Sequence, residues 1–446
     1  MLSVFTSGSR TEHKRILALA LPMILSNITN PLLGMVDTAI VGHLGASYFL
    51  AGTAVASMLI TQIYWLCGFL RMSATGLSAQ ALGTKDKRAA ARIFYQLLVP
   101  ACLLGTLVLI FAPVLETLAI RFADADIQTA GVIHHYLVVR VWGAPAALAN
   151  LLLMGWLIGQ QATRTVMMIQ IAANLANALL SYVLAIKLGF AVQGVATATV
   201  LAEYGILVAS LWAVLKRIHW IGPQSTWFSA AGYRAVLGLN LDILLRNLAL
   251  QLTMAFMVFQ AARLDSQIVA LNALLMQFFV LTALGLDGIA YAVEALVGEA
   301  RGRQQYQLLH QRVVRGLWWS GLLALLYSLV FVIFDRAILT LLTDLPELIH
   351  LARDYLHYIW LLPLVSHWCF LMDGVFIGLT QGRAMRNTML LSAFGVFLPL
   401  WWLCQTAGNH ALWLAFLAFL AARGIGLGWV YWRRWQVWQQ GSGEPG

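Results

Sequence analysis

Hydrophobic residues along this chain gather into long runs, separated by short breaks rich in Lys, Arg, Gly and Pro. A helix needs about 20 predominantly apolar residues to cross the hydrocarbon core of a bilayer. On that measure the pattern predicts twelve helical spans, at 16–42, 47–70, 93–115, 131–158, 165–186, 192–215, 235–262, 267–290, 316–341, 348–378, 387–406 and 410–432. The expected fold class is an all-α polytopic membrane protein.

Composition agrees. Only 10% of the 446 residues are charged and 61% are hydrophobic, whereas a soluble domain carries about 25% charged residues. The net charge of +10 would suit nucleic acid, but the positions of the charges argue against that partner. Of the 28 Lys and Arg, 20 fall at the N-terminus, in the even-numbered loops and in the C-terminal tail. Four fall in or beside the odd-numbered loops, and Arg140, Arg246, Arg353 and Arg423 lie within or at the edges of spans. Such a bias marks the cytoplasmic side, so both termini are expected in the cytoplasm of a cell whose inner membrane holds the protein. Cys67, Cys102, Cys369 and Cys404 sit in apolar segments without metal or disulfide spacing and read as ordinary membrane-helix residues. No cleavable signal peptide is evident, because the polar start runs into an apolar stretch too long for an h-region.

The chain also repeats itself. Tyr136, Gly155, Gly159 and Arg164 have counterparts in Tyr355, Gly374, Gly378 and Arg383, all at an offset of 219 residues, and a proline (Pro145, Pro363) sits mid-span in each copy. The loops following the second span of each half, at 79–86 and 294–301, correspond more loosely. Six spans per half is an even number, so the two halves share one orientation. Parallel halves related by an axis along the membrane normal are a transporter architecture. The expected division is an N-terminal lobe at 1–215, a cytoplasmic linker at 216–234 and a C-terminal lobe at 235–446. The Gly-xxx-Gly pairs read as sites of close helix packing.

Ionisable residues inside spans are functional hypotheses by default. Asp37 shares a helix stripe with Asn27, Asn30 and Gly34, and Pro22 and Pro31 interrupt the same span. Span 5 carries a matching stripe of Gln170, Asn174, Asn177 and Ser181, and span 6 adds Thr199 and Glu203. Spans 1, 5 and 6 could therefore enclose a polar chamber in which loss of hydration favours the neutral form of a carboxyl, letting it load and release a proton. In the second half, Asp242 and Arg246 are four residues apart and are expected to pair on one helix face. Asp373, beside Gly374 and with His367 nearby, is a second contact for ion or substrate. Arg140 and Arg423 are expected to neutralise buried carboxylates. Asp287 and Glu294 read as solvated residues near a helix end. Gly424-Ile425-Gly426-Leu427-Gly428 shares part of a nucleotide fingerprint but has no preceding strand, and is set aside.

Several of these segments carry a resemblance, in order along the chain: Leu21-Pro22-Met23-Ile24-Leu25-Ser26-Asn27, Val36-Asp37-Thr38-Ala39-Ile40-Val41-Gly42-His43-Leu44-Gly45, Arg71-Met72-Ser73-Ala74-Thr75-Gly76-Leu77-Ser78-Ala79-Gln80, Ala144-Pro145-Ala146, Gln193-Gly194-Val195-Ala196-Thr197-Ala198-Thr199 and Asn240-Leu241-Asp242-Ile243-Leu244-Leu245-Arg246. Through them the chain resembles, nearly end to end, the multidrug and toxic compound extrusion (MATE) family in its DNA-damage-inducible protein F (DinF) branch. The resemblance implies two six-helix lobes around a cleft and cation- or proton-coupled export of bulky, often cationic, amphipathic compounds. It also implies that Asp37 is the coupling carboxylate, that span 1 bends at Pro22, and that Asn177 and Thr199 belong to an N-lobe polar cluster. Many relatives carry a second aspartate four residues after that asparagine, where this chain has Ser181. Its absence puts a family-type sodium site in doubt and favours protons. Asp373 matches a span-10 aspartate implicated in cation binding in another branch, whose span-7 acidic partner is not evident here, so that site ranks second.

The expected protein is a secondary active multidrug efflux antiporter working by alternating access. Its partners are small amphipathic molecules and the lipid bilayer. No cofactor or metal is called for, since a proton gradient supplies the energy, with sodium as the alternative. A lipid-linked precursor flippase is the other transport reading, but it would call for a more cationic cavity than Arg140, Arg246 and Arg423 provide. A membrane-embedded enzyme is disfavoured: there is no His-Glu-x-x-His zinc site, nucleophile elbow or paired-Asp motif.

Overall fold

A computed structural model describes residues 7–440, and among them every regular element is helical. The chain opens with α1 (Ser7–Gly42). One long pass combines α2 (Ser47–Leu66) and α3 (Phe69–Thr84), and α4 (Lys87–Ile110) and α5 (Ala112–Phe122) follow. Then α6 (Ile127–Arg140) and α7 (Ala144–Gly159) make a pass broken by a 3-10 turn at Val141–Gly143. The first half ends with α8 (Thr163–Ser181), a π turn at Tyr182–Lys187, and α9 (Ala191–Arg217).

The second half comprises α10 (Ala230–Leu264), α11 (Ser266–Gly302), α12 (Tyr306–Leu342), the short α13 (Pro346–Ala352) and α14 (Leu356–Gly378). After it α15 (Gly382–Leu390), a π turn at Leu391–Phe397 and α16 (Leu398–Leu403) form one run, before α17 (Asn409–Gln439). Among the described residues, 11 helical stretches are long and apolar enough to cross a membrane. The π turn divides the remaining expected span, which is nonetheless helical as far as Leu403. Asp86 caps α4 by accepting the N–H groups of Arg88 (2.8 Å) and Ala89 (3.0 Å), which satisfies donors that a helix start leaves open.

The passes at Ile127–Gly159 and Pro346–Gly378 are the most enclosed, with 67% and 72% of their most apolar stretch buried. They are the centres of their halves. Elsewhere large apolar side chains such as Leu103, Leu175, Val208, Val258 and Leu326 point outward, as a lipid-facing surface requires.

The 219-residue repeat is built into the packing. Gly155 leaves room for the Arg71 carbonyl, and Gly374 does so for the Ala290 carbonyl. Likewise Gly159 lies on the Thr75 carbonyl and the Ala79 N–H, and Gly378 on the Glu294 carbonyl and the Gly298 N–H. Each packing partner is displaced by the same offset as the glycines. A methyl at any of the four would meet backbone, which cannot swing aside as a flexible side chain can. The same packing corrects one expectation: α11 continues to Gly302 because its small residues bed against α14. Glu294 is therefore fully buried and Asp287 half-buried, rather than both being solvated at a helix end.

Two compact units divide the described chain. One is Leu25–Gly238, and the other joins the residues up to Ile24 to those from Leu239 onward. This partition differs from the lobes expected at 1–215 and 235–446, whose outer limits lie outside the described residues. Charge explains the first difference, since Arg15 reaches Glu299 at 2.9 Å. Arg312 holds Glu12 at 2.9 Å and Glu299 at 3.0 Å, and the Trp319 indole donates to His13 at 3.0 Å. These contacts bind the start of α1 to α11 and α12. The segment expected as a linker at 216–234 is strapped to α4 in the other unit. There the Gln96 amide donates to the Trp227 carbonyl at 2.6 Å, and Tyr95 donates to the Ile221 carbonyl at 3.1 Å.

Candidate functional site

In the unit Leu25–Gly238, α1 and α8 lie together along polar faces. Positions three and four apart on a helix share a face, and α8 uses this to present Gln170, Asn174, Asn177 and Ser181. The Ser26 hydroxyl donates to the Gln170 side-chain oxygen. One turn on, the Asn174 amide donates to Thr29 Oγ1 at 3.0 Å and to Asn30 Oδ1 at 3.1 Å. Near the end of both helices the Ser181 hydroxyl lies 2.9 Å from Asp37 Oδ1 and 3.1 Å from Asn177 Oδ1. Asn177 and Ser181 are buried, and Asp37 is half-buried.

A hydroxyl carries one proton and two lone pairs. When Asp37 is ionised, Ser181 donates to it, and the Asn177 amide can turn its NH2 group towards Ser181. When Asp37 holds a proton, it donates to Ser181 Oγ, and the serine proton passes its bond to Asn177 Oδ1. The same three side chains therefore satisfy both forms of the carboxyl.

A second polar group lies beside the first. Arg140 closes α6, and its guanidinium grips Glu203 of α9 in a two-pronged bond of 2.8 Å and 2.6 Å. The Tyr64 hydroxyl is 3.3 Å from the same guanidinium, and the Asn150 amide donates to the Glu203 carbonyl at 2.8 Å. Gly143, in the 3-10 turn, leaves the space: a Cβ there would strike the Glu203 carboxylate and lie 2.6 Å from Arg140 Nη1. Arg140 is within electrostatic reach of Asp37. Thr199 is not joined to either group, since its hydroxyl bonds the Val195 carbonyl of its own helix at 3.1 Å.

The other unit holds a different arrangement. Arg246 and Arg423 both donate to the same oxygen, Asp373 Oδ2, the latter at 2.5 Å. All three residues are buried, and Asp287 of α11 faces Arg423 electrostatically. The expected pair of Asp242 with Arg246 does not form. Asp242 instead takes Arg386 at 2.6 Å, because Gly382 lets α15 approach until its Cβ position is 2.8 Å from Asp242 Cβ. Arg246 turns inward to the more deeply buried Asp373. His367 faces Gly321 on α12 rather than Asp373. Pro22 is buried within a continuous α1, two residues before the boundary between the units.

Ser26, Thr29 and Tyr64 were not legible as site residues. Serine and threonine are common in membrane helices, and the visible asparagines drew the stripe one position to the side of Ser26. For Tyr64 no signal separates it from the aromatic residues that line membrane interfaces.

Among the described residues, the helical passes, the internal duplication and the buried polar clusters in each unit describe a membrane-embedded, multi-pass protein. The MatE family model matches residues 22–183 and again 243–403, and the chain belongs to this family. It is 42% identical over 432 residues to DNA damage-inducible protein F of Escherichia coli (strain K12), covering 96% of this chain and 93% of that one. It is 23% identical over 438 residues to Protein DETOXIFICATION 44, chloroplastic, of Arabidopsis thaliana, covering 95% and 83%. Among solved structures, that of MATE in complex with MaL6 shares the fold with a TM-score of 0.85 at 20% identity, covering 96% of this chain and 97% of that one.

Proposed function

We propose that this protein exports small amphipathic, often cationic, compounds across the cell inner membrane by proton-coupled antiport, with Asp37 as the coupling carboxylate. The observation that carries the reading is the Asp37–Ser181–Asn177 triad, whose hydrogen bonds close with or without a proton on Asp37. A coupling group must exist in both forms during each cycle, and a site that stabilises only one would stall. Ser181 supplies a neutral hydroxyl where many relatives have a second carboxylate, which favours a proton over sodium.

Alternating access then requires a helix that can respond to the charge on Asp37. α1 is suited to this, because it carries Asp37 at one end and is fixed to α11 and α12 at the other. Pro22 and Pro31 each remove one backbone hydrogen bond between these regions, which lowers the cost of bending there. Asn174 holds α1 and α8 together alongside. The 20-to-4 bias of basic residues supports cytoplasmic termini.

The test is dye-induced proton release from inverted membrane vesicles, with and without sodium. The expected result is release that ignores sodium and disappears in Asp37→Asn. Sodium-dependent release that survives Asp37→Asn would overturn the reading.

A further inference from the structure

We infer that Arg140, held by Glu203, is the positioning residue that makes the Asp37 site take a proton rather than a metal cation. This rests on the reading of Asp37 as the coupling carboxylate.

Arg140 stands where a membrane helix is deliberately interrupted. α6 ends at this residue, three residues of 3-10 turn follow, and α7 begins only at Ala144. Irregular backbone at membrane depth is tolerated where protein or a water-filled cavity covers it. Here it is covered by α9: Tyr204 donates to the Trp142 carbonyl at 3.0 Å, and Asn150 pins the Glu203 carbonyl. Gly143 clears the volume that the ion pair fills. Packing alone does not call for such construction, because a buried ion pair is commonly no more stabilising than apolar residues of the same shape. The pair's charge is what apolar residues cannot replace.

That charge has a simple use. With Asp37 ionised, Asp37 and the Arg140–Glu203 pair together carry two carboxylates and one guanidinium, and one added proton brings them to neutrality. Arg140 thus acts as a tethered cation, supplying one of the two positive charges the carboxylates require and repelling a mobile sodium ion. Without it, Glu203 and Asp37 would together attract a cation.

The charged and titratable groups facing Asp37 are few. α6 gives Arg140 and Tyr136, both within electrostatic reach of Asp37, and Arg140 in turn holds Glu203 of α9 and Tyr64 of α2. α8 gives only the Asn177 amide and the Ser181 hydroxyl. His43, just past the end of α1, bonds the Ala39 carbonyl of that helix (2.7 Å), and Lys187 of the π turn lies over the Tyr182 ring. Arg140 is therefore the one cation in this group among the described residues.

The experiment measures dye–proton exchange in vesicles as a function of pH, with sodium chloride or choline chloride. Arg140→Gln should move the profile to alkaline pH by about one unit, a tenfold change in proton concentration, and make exchange respond to sodium. Glu203→Gln frees the guanidinium to pair with Asp37 and should move the profile to acid pH. The double variant Arg140→Gln/Glu203→Gln should move it to alkaline pH without a sodium response. It leaves no lone buried charge, so it carries the test if Arg140→Gln fails to insert. Arg140→Lys keeps the charge and should restore the parental profile. Lowered amplitude with an unmoved profile and no sodium response, in Arg140→Gln or in the double variant, would overturn the proposal and leave a structural pair. Failure of the Asp37 reading is separate: coupled exchange would then persist in Asp37→Asn.

Discussion

Asp37 and Asp373 are intramembrane carboxylates in different units, and their neighbours differ in kind. Asp37 meets a hydroxyl at 2.9 Å, backed by an amide. Asp373 receives two guanidinium groups on a single oxygen. Neutral partners can reverse their hydrogen bonds when a proton arrives. Guanidinium groups cannot, because arginine is always a donor and always charged. A protonated Asp373 would withdraw its negative charge from beside two buried cations. The partners of the first carboxylate thus permit a change of protonation state and those of the second oppose one, although membrane depth and a helix position had marked both as ion sites.

The sharpest way to break this contrast is to neutralise each in turn and ask what is lost. Asp373→Asn should cost about 3–5 kcal/mol of stability, the range seen when one partner of a buried ion pair is removed. Thermal unfolding in detergent, followed by intrinsic tryptophan fluorescence, measures it. Asp37→Asn should leave the unfolding temperature nearly unchanged while abolishing exchange. If Asp373→Asn unfolds like the parent but loses proton coupling, the assignments of the two carboxylates are reversed.

A smaller effect should follow from adding a second carboxylate to the first unit. Ser181→Asp places a second carboxylate beside Asp37 without adding a cation. Like charges so close cannot both ionise freely, so exchange should become sodium-responsive, with a several-fold change in rate between sodium and choline. A variant indifferent to sodium would show that the serine is not what excludes the ion.

The contrast also separates what a sequence displays from what it hides. The polar stripes that join Asp37 to Ser181 and Asn177 were legible because their residues recur at helical spacing on two spans, and the 219-residue repeat because the four glycines are required wherever backbone meets backbone. Long-range choices were hidden. Asp242 and Arg246 have the spacing of a helical pair, yet each is taken by a partner more than a hundred residues away, Arg386 and Asp373. Arg140 and Glu203 were visible as buried charges but not as a pair, since 63 residues separate them. Glu294 was misplaced because a charged residue near Arg301 reads as the end of a span. Nothing in the sequence marked the π turn at Leu391–Phe397, which shifts hydrogen-bond register without requiring a proline or glycine.

The smallest predicted effect probes the triad itself. Ser181→Ala removes one hydroxyl and no charge. In the ionised state Asp37 loses a bond that it accepts, and a hydrogen bond to a charged group contributes about 1.5–3 kcal/mol. In the protonated state it loses a bond that it donates, but as a neutral group, where the contribution is nearer about 1 kcal/mol. The difference falls on the ionised form, so the variant should hold its proton to higher pH. Water entering the vacated space will recover part of the loss, and the exchange profile should therefore shift to alkaline pH by about half a unit, roughly threefold in proton concentration. Ser181→Thr keeps the hydroxyl and should not shift it. A profile that moves to acid pH in Ser181→Ala would mean that the serine bond favours the protonated carboxyl, and the order of events around Asp37 would have to be redrawn.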